Sequence, residues 1–449
     1  MAERLVVVGG GAAGMSAASA ARRVEPGLDV VVLEASGYAA WGLCGLPYYA
    51  AGVVGDPEAL VSHPPAWFRE VRRIDLRLHA RAVALDPARR VVTLDDGTDI
   101  GYGALVVTAG AAPVLPPLPG LEDPRVFTVR TLESAIALRR LLDAGGARRC
   151  LIVGAGYIGL EMAEGLAAQG CDVTITELLP QVMATLDPEV AEGVEATVRT
   201  HADLRLGVGL HGVTTDGTRL EAELADSTRL VVDAIVVATG VRPQTAIAAA
   251  AGATTGPAGA LLVDDAMRTS LPDVFAAGDC IAAYHRVLRR PAWVPLGPTA
   301  NKTGRVAGTV AAGGTARFAG VVGTAVCKVF DLTVARTGLT LAEARAHGLT
   351  AAATDSVARS RATYYPGVEP TRTRLVHGPD GQLLGAQMVS ADPATAKRID
   401  VIATALHAGF DVATLADLDL SYAPPYAPVY DPVLRAAQAV GSQATDASA

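Results

Sequence analysis

The chain has 449 residues, of which 50% are hydrophobic and only 4% aromatic, so its apolar content is mostly Ala, Val and Leu. This composition excludes intrinsic disorder as the main state, and at roughly 100–200 residues per domain it leaves room for several domains. With 38 basic and 46 acidic side chains the formal net charge is −8. That balance argues against nucleic acid as a partner, because phosphate binding needs clustered Lys and Arg.

No stretch of the sequence reaches the roughly 18 apolar residues of a membrane helix, and the first apolar run is too short for a signal peptide. We therefore expect a soluble cytoplasmic protein with no membrane partner. None of the five cysteines is spaced from another as zinc ligands are, so we expect no metal site and no disulfide framework. Four of them lie in apolar, strand-like contexts typical of buried inert thiols; these are Cys150, Cys171, Cys280 and Cys327.

The first predicted unit is a strand at residues 5–8, a helix at 12–23 and a second strand at 29–33, which Glu34 follows. The turn between the first strand and the helix has G-x-G-x-x-G spacing, with Gly9, Gly11 and Gly14. In such a turn the first glycine permits the bend, the second lets the backbone approach a pyrophosphate, and the third lets helix pack on strand. The acidic residue after the second strand accepts hydrogen bonds from a ribose diol.

The same pattern occurs a second time. A strand at 150–153 leads through Gly154, Gly156 and Gly159 into a helix that ends near residue 169, and a strand at 172–176 precedes Glu177. The anion of a dinucleotide binds at such a helix N-terminus, so two units indicate two dinucleotides, FAD and NAD(P). Three further apolar segments end in small residues and suit return strands that pass close to a cofactor; they are residues 105–110, 235–240 and 274–279.

In this order, the elements resemble those of the pyridine nucleotide–disulfide oxidoreductase family over nearly the whole chain. The resemblance implies an α/β fold with two Rossmann-like dinucleotide-binding domains, the NAD domain inserted in the FAD domain, and an α+β C-terminal dimerisation domain. We expect the FAD domain in residues 1–112 and 248–320, the NAD domain in 113–247 and the dimerisation domain in 321–449. The protein would then be a homodimer. Within the third domain the sequence predicts strands at 325–330, 373–376 and 383–389, a helix at 394–408 and a frayed tail at 441–449.

The resemblance also assigns residues to each cofactor. For FAD these are Gly9, Gly11, Ala12, Ala13, Gly14, Glu34, Ala109, Gly110 and Asp279, the last on a ribityl hydroxyl. For NAD they are Gly154, Gly156, Tyr157, Gly159, Glu161, Glu177 and Gly240. Because Glu177 would bond a 2′-hydroxyl and repel a 2′-phosphate, we expect NADH, with NADPH possible. Tyr157 resembles the aromatic gate that swings to admit nicotinamide, Glu161 would approach its carboxamide, and Glu164 is interpreted as a solvated charge.

Cys44 is the fifth cysteine, in the segment W-G-L-C-G-L-P-Y-Y. A helix that starts there, with Pro47 in its first turn, would aim unpaired N–H groups at the sulfur and lower its pKa. The thiolate is the form that attacks disulfides and persulfides, whereas the alternative is an inert packed cysteine. A single thiol here resembles the branch that contains coenzyme A disulfide reductases, sulfur or polysulfide reductases, and NADH oxidases and peroxidases. Its resting state would be a mixed disulfide or a sulfenic acid.

Three further sites rest on the same resemblance. Residues 421–433, with Y-A-P-P-Y and D-P-V, resemble the C-terminal segment of coenzyme A disulfide and sulfur reductases, in which Tyr426 would reach the other subunit's cysteine and flavin. Tyr364 and Tyr365 lie in a second such segment; each of these tyrosines could protonate a leaving thiolate or be a packed interface aromatic. Arg22 and Arg23 would meet coenzyme A phosphates, although basic residues at a helix C-terminus are favoured by the dipole alone.

The predicted function is an FAD-dependent oxidoreductase that passes hydride from NADH, through flavin and Cys44, to coenzyme A disulfide, a persulfide or a polysulfide. Ala40 and Leu43 stand where coenzyme A disulfide reductases usually carry Ser and Asn, which leaves the thiol substrate open. The first alternative is an NADH oxidase or peroxidase that reduces O₂ or H₂O₂. The others are a reductase of a small electron-transfer protein and a redox-sensing binding protein. Small-molecule thiols, disulfides or oxygen are the expected partners.

Overall fold

The computed structural model describes residues 3–217 and 219–446, and it shows three units that each combine helices with a central sheet. The first unit is built on a sheet of five parallel strands whose apolar runs are buried on both faces, as parallel sheets require. In spatial order the strands are Val274–Ala276, Ala104–Val107, Arg4–Val8, Asp29–Leu33 and Asp75–Arg77. The strand at one edge therefore comes from the chain that follows the second unit.

Helices Ala12–Val24 and Gly297–Ala311 pack against each other beside this sheet. Their approach is very close, because a Cβ on Gly304 would lie 2.2 Å from the carbonyl oxygen of Ala13, and a Cβ on Gly308 would lie 2.0 Å from that of Ala17. Small residues on both helices thus bring the second helix onto the one that follows the first glycine-rich turn.

The second unit repeats the architecture with its own sheet of five parallel strands. The strands, in spatial order, are Asp203–Leu206, Asp172–Glu177, Arg149–Val153, Ala234–Val237 and Val126–Phe127. Its helices are Leu132–Asp143, Tyr157–Ala168 and Pro188–His201. The two chain segments that join it to the first unit, Ala111–Pro113 and Val241–Pro243, form an antiparallel pair. The second unit is therefore inserted into the first through two adjacent connections.

The third unit is an antiparallel sheet of five strands covered by helices. The strands, in spatial order, are Ala325–Val329, Leu332–Gly338, Leu383–Ser390, Pro370–His377 and Ala352–Arg359, and the helices are Leu341–Ala346, Thr395–Ala408, Val412–Ala416 and Pro432–Asp446. The frayed tail expected at 441–449 is wrong for residues 441–446, which continue the last helix, while residues 447–449 lie outside the described chain.

Smaller elements complete the first two units. Each unit contains an antiparallel three-stranded sheet that precedes strand Ala104–Val107 or Ala234–Val237. The strands of the first are Ala82–Asp86, Val91–Leu94 and Asp99–Gly101, and those of the second are Leu210–Thr215, Leu220–Leu224 and Arg229–Val232. The remaining strands are Leu261–Leu262, Ile281–His285 and Arg290–Ala292, and the remaining α-helices are Leu46–Ala50, Pro65–Glu70 and Ala246–Ala250. Short 3₁₀ helices lie at Leu43–Gly45, Pro57–Leu60, Pro257–Gly259 and Gly278–Cys280. Within the described residues, no helix combines the length and the apolar character that crossing a membrane requires.

Candidate active site

The first glycine-rich turn is shaped by steric contacts that only glycine allows. Gly9 has φ +104°, and a Cβ there would lie 2.4 Å from the carbonyl oxygen of Thr108. A Cβ on Gly14 would lie 1.8 Å from the carbonyl oxygen of Gly9. Gly11, by contrast, has no atom within 4 Å of a Cβ position, and Ala12 beside it is exposed. The helix N-terminus thus opens onto free space, where its unpaired N–H groups can receive a phosphate.

The second turn reproduces this arrangement. Gly154 has φ +108°, and its Cβ would lie 2.5 Å from the carbonyl oxygen of Ala238. A Cβ on Gly159 would lie 1.9 Å from the carbonyl oxygen of Gly154, whereas at Gly156 nothing lies within 4 Å. In both turns the outer glycines are needed by the protein's own packing and the middle glycine faces open space. This is the division of roles that a dinucleotide site needs, so the residues fit the two cofactors.

Each of the two predicted ribose-binding glutamates lies against its own turn. The Gly10 N–H donates to Oε2 of Glu34 at 2.6 Å, and the Ala155 N–H donates to Oε2 of Glu177 at 2.7 Å. In both cases the other carboxylate oxygen accepts the N–H two residues downstream. These bonds orient both carboxylates at the carboxyl ends of their strands, beside the open helix N-termini, and a carboxylate has lone pairs left for a ribose hydroxyl.

The other residues predicted to bind FAD lie around the same strand ends. Gly110 has φ +70° just after the strand, Ala109 precedes it, and Ala13 is buried beneath the turn. Asp279 pairs with Arg130 at 3.2 Å, and both side chains are largely buried. Sequence reasoning missed Arg130, because its partner lies 149 residues away along the chain.

One cavity of about 1180 Å³ connects the cysteine segment with the second glycine-rich turn. Residues of all three units line it, among them Cys44, Arg130, Tyr157, Gly240 and Arg336. The fold thus brings the lone candidate thiol and the predicted nicotinamide gate to the walls of a single space, as binding sites for small molecules and cofactors require.

Cys44 lies in the 3₁₀ helix Leu43–Gly45 and is exposed to this cavity, whereas the other four cysteines are buried, as predicted. Burial of the sulfur against the cavity wall, followed by the charges of Glu161 and Asp279, raises the pKa of Cys44, and Arg130 offsets part of this effect. The predicted lowering of the Cys44 pKa is therefore wrong. The helix that follows, Leu46–Ala50, is only a turn and a half long, whereas burial and then the charges of Glu161 and Asp279 act directly on the thiol.

Glu161 lies on the helix after the second turn and accepts a hydrogen bond from the Tyr48 hydroxyl at 3.3 Å. Burial raises the pKa of Glu161 to about 7, with a further contribution from the charge of Glu164. Burial, together with Glu161, raises the pKa of Tyr48 to about 12. Glu161 is therefore a half-buried carboxyl with a pKa near neutrality, close enough to Cys44 for its charge to raise the pKa of the thiol. The approach of Glu161 to the nicotinamide carboxamide stays a prediction.

Glu164 is not the solvated charge that the sequence suggested. Its carboxylate forms an ion pair with Lys328 and accepts the Phe330 N–H at 2.9 Å. Both partners belong to the first hairpin of the third unit, so Glu164 joins the helix of the second unit to the third.

The three candidate tyrosines lie apart from the cavity in the single chain. Tyr426 and Tyr364 are 77% and 76% exposed, and Tyr365 is also exposed. The two segments that carry them touch, because the Ala362 N–H donates to the carbonyl oxygen of Pro424 at 3.3 Å. Within one chain the structure therefore groups these tyrosines on the surface of the third unit and does not bring them to Cys44.

Arg398 holds the two tyrosine segments together, and sequence reasoning missed it. Its buried guanidinium donates to the carbonyl oxygens of Ser360 at 2.6 Å and Tyr426 at 2.9 Å. It also pairs with Asp431 at 2.9 Å and Asp392 at 3.3 Å. The aspartate of the D-P-V motif thus serves to hold this arginine.

The Arg22 side chain is hydrogen-bonded to backbone carbonyl oxygens of the protein itself. Its guanidinium donates to the carbonyl oxygens of Pro26, Leu28, Arg72 and Arg73. Since a guanidinium has five N–H donors, little capacity is left for coenzyme A phosphates, and the predicted role of Arg22 needs this correction. Arg23 is exposed next to it, and its phosphate contact stays a prediction.

Residues 3–304 match the family described as Pyridine nucleotide-disulphide oxidoreductase, and residues 324–432 match the dimerisation domain of that family. The chain belongs to this family. The predicted family and fold class are confirmed, and the chain is an oxidoreductase that uses FAD and NAD(P)H and carries a dimerisation domain.

Similar proteins cover the chain nearly end to end. The NAD(P)H coenzyme A polysulfide/persulfide reductase of Pyrococcus horikoshii is 37% identical over 438 residues, which cover 97% of both chains. An NADH oxidase of Methanocaldococcus jannaschii is 32% identical over 97% of this chain and 98% of its own. The solved structure of the NAD-dependent persulfide reductase from A. fulgidus matches with a TM-score of 0.95 at 36% identity, covering 99% of this chain and 84% of that chain.

Proposed function

We propose that the protein is a homodimeric reductase that uses NADH to reduce a small-molecule disulfide, persulfide or polysulfide, with Cys44 as its redox-active thiol. The observation that carries this proposal is the cavity shared by Cys44 and the second glycine-rich turn. It provides a route from a nicotinamide site to a thiol that is exposed while the other four are buried. The cytoplasmic location stays a prediction.

The chain's own residues have defined roles in this proposal. The open helix N-termini at Gly11 and Gly156 bind the two pyrophosphates, and Glu34 and Glu177 orient the adjoining riboses. FAD, when bound, supplies the electron transfer between NADH and sulfur. The carboxylate of Glu177 favours a 2′-hydroxyl over a 2′-phosphate, which is the basis for preferring NADH.

The sulfur chemistry balances as follows. The Cys44 thiolate attacks one sulfur of the acceptor; a Cys44–sulfur bond forms, the acceptor S–S bond breaks, and one thiolate leaves. Two electrons that originate in NADH break the new bond, which returns Cys44 to the thiolate and releases the second thiol. The net reaction is NADH + H⁺ + RSSR → NAD⁺ + 2 RSH. Arg130 lies in the same cavity and is the group that lowers the Cys44 pKa through its charge, so it favours the attacking form.

Coenzyme A is the thiol that we propose for the acceptor, because the Pyrococcus horikoshii relative is named for it. The exposed tyrosines support a dimer in which each subunit's Tyr426 reaches the other subunit's Cys44, since five tyrosines of the dimerisation domain are otherwise left uncovered. We also propose the domain limits 1–112 with 248–320, 113–247 and 321–449, in keeping with the paired connections at 111–113 and 241–243.

Anaerobic NADH oxidation with coenzyme A disulfide tests the proposal. Wild-type protein and Cys171→Ala, which removes a buried cysteine of the second unit, should turn over, whereas Cys44→Ser should retain NADH-driven bleaching of its flavin and lose disulfide reduction. Disulfide turnover by Cys44→Ser at the wild-type rate would remove Cys44 from the chemistry.

An NADH oxidase is the second candidate, favoured by the relative from Methanocaldococcus jannaschii. The same protein assayed with O₂ separates the two candidates. A higher kcat/KM for O₂ than for every disulfide and polysulfide tried would assign the oxidase function.

A further inference from the structure

A segment of the second unit, residues 183–189, lies between the second glycine-rich turn and the third unit; we call it the bridging segment. On one side the Met183 N–H donates to the carbonyl oxygen of Ala155, inside the turn, at 2.9 Å. The Thr185 hydroxyl donates to the hydroxyl oxygen of Tyr157 at 3.4 Å. The bridging segment therefore touches both the turn and the aromatic residue that follows it.

On its other side the bridging segment is held by an arginine of the third unit. Arg336, which is 9% exposed, donates from one terminal nitrogen to the carbonyl oxygen of Thr185 at 2.6 Å. Its other terminal nitrogen donates to the Gly338 carbonyl oxygen at 2.9 Å and to Glu343 at 2.6 Å. Glu343 in turn accepts the N–H of Thr340 in a capping box, so the guanidinium is fixed at several points.

A second anchor lies two residues further along. Asp187, which is 2% exposed, accepts from the Gln387 side chain at 2.6 Å and from the N–H of Leu341 at 3.1 Å, and Arg374 pairs with it at 3.3 Å. The bridging segment is thus fixed to the third unit through both Thr185 and Asp187. Movement of Thr185 relative to the third unit requires breaking the Arg336 bond.

We propose that Arg336 is a positioning residue for nicotinamide binding: by fixing Thr185 it sets the position of the Tyr157 ring at the cavity wall. The proposal rests on the proposed function and on the sequence prediction that Tyr157 is the gate over the nicotinamide site. Tyr157 is half-buried, and its hydroxyl contacts Thr185, so the ring's resting position follows the bridging segment. The dimerisation domain thereby acts on the nicotinamide site of its own chain.

Arginine suits this role because its planar fork reaches three partners in fixed directions, which the point charge of a lysine cannot reproduce. Arg336→Lys keeps the charge and should lose the bond to Thr185. Thr185→Val removes the hydroxyl that Tyr157 contacts and leaves the Thr185 carbonyl in place, and because Thr185 is exposed this change should leave folding intact.

Arg286 offers a matched control. It joins the first unit to the third by donating to the carbonyl oxygen of His407 at 2.6 Å, and it also donates to that of Ala319 in its own unit at 2.9 Å. Neither bond involves the bridging segment or Tyr157. Arg286→Lys should therefore report the general cost of weakening such a contact.

The test is steady-state oxidation of NADH by the FAD-loaded protein with ferricyanide as acceptor, which needs the nicotinamide site but not Cys44. Arg336→Lys and Thr185→Val should each raise KM for NADH about three- to tenfold, the scale of one hydrogen bond, with kcat changed by less than about twofold. Arg286→Lys should leave both constants unchanged. In a Tyr157→Phe background, Arg336→Lys should have less than about half of its effect on log KM, because the link from Thr185 is already broken.

An effect of Arg336→Lys that is equally large in the Tyr157→Phe background would overturn the proposal, because Arg336 would then act on NADH directly. An unchanged KM in both Arg336→Lys and Thr185→Val would also overturn it. Loss of disulfide turnover is not a readout here, so a wrong assignment of Cys44 leaves this test intact.

Discussion

The two glycines Gly156 and Gly159 permit a sharp test of the second dinucleotide site, because a methyl group has opposite consequences at the two positions. At Gly159 the new Cβ would lie 1.9 Å from the carbonyl oxygen of Gly154, about 1.5 Å closer than a van der Waals contact. Helix and turn would have to separate, at a cost of about 3 kcal/mol or more. At an unfolding entropy of about 2.1 cal/mol/K per residue, a chain of 449 residues shifts by about 1 °C per kcal/mol, so Gly159→Ala should lower the thermal midpoint of the FAD-loaded protein by at least about 3 °C.

At Gly156 nothing lies within 4 Å and the backbone φ of −83° suits alanine, so Gly156→Ala should change stability by only about 1 kcal/mol. Its methyl group would stand where a pyrophosphate approaches the helix N-terminus. The loss of one or more bonds to a charged group should raise KM for NADH about 10- to 100-fold. A Gly156→Ala variant with a KM within about twofold of wild type would refute the placement of NADH on this turn.

Three further predictions follow from individual side chains. Burial raises the pKa of Glu161 to about 7 in the folded protein, above its ordinary value of 4.5. Between these pH values the folded state binds more protons, so the free energy of unfolding falls as pH rises, by roughly 3 kcal/mol in all. Glu161→Gln removes this loss, and its thermal midpoint should exceed wild type at pH 8 and match it at pH 4.5; a constant difference would contradict the Glu161 assignment. Arg398→Met leaves Asp431 without its buried partner and should cost about 3–5 kcal/mol, seen as a lower midpoint and faster proteolysis near Tyr426. Glu177→Arg should raise the NADPH/NADH ratio of kcat/KM at least about tenfold, and an unchanged ratio would exclude Glu177 as the ribose ligand.

The two βαβ units could be predicted from sequence because their glycines are sterically obligatory. Gly9 and Gly154 adopt φ near +105°, and Gly14 and Gly159 admit no side chain, so the spacing itself carries the geometry. The paired glutamates follow at a fixed distance along the chain. The position of Tyr157 at the cavity wall could be predicted for the same reason, because Tyr157 directly follows Gly156 of the second turn.

The electrostatics of Cys44 could not be predicted in the same way. Local sequence suggested a helix dipole that lowers the pKa, but burial of the sulfur raises it, followed by the charges of Glu161 and Asp279, which lie 117 and 235 residues further along the chain. Arg398 was missed for a related reason, since its four partners come from three separate segments. The antiparallel strand Ala352–Arg359 was also missed, because it is an edge strand in which half of the residues are polar and three of the four apolar ones are alanine.

Mass spectrometry of the peptide that contains Cys44 tests the central claim most directly. After the NADH-free protein is mixed with coenzyme A disulfide, we predict one coenzyme A adduct, on Cys44, that disappears when NADH is added anaerobically. An adduct confined to another cysteine, or one on Cys44 that NADH leaves in place, would contradict the account.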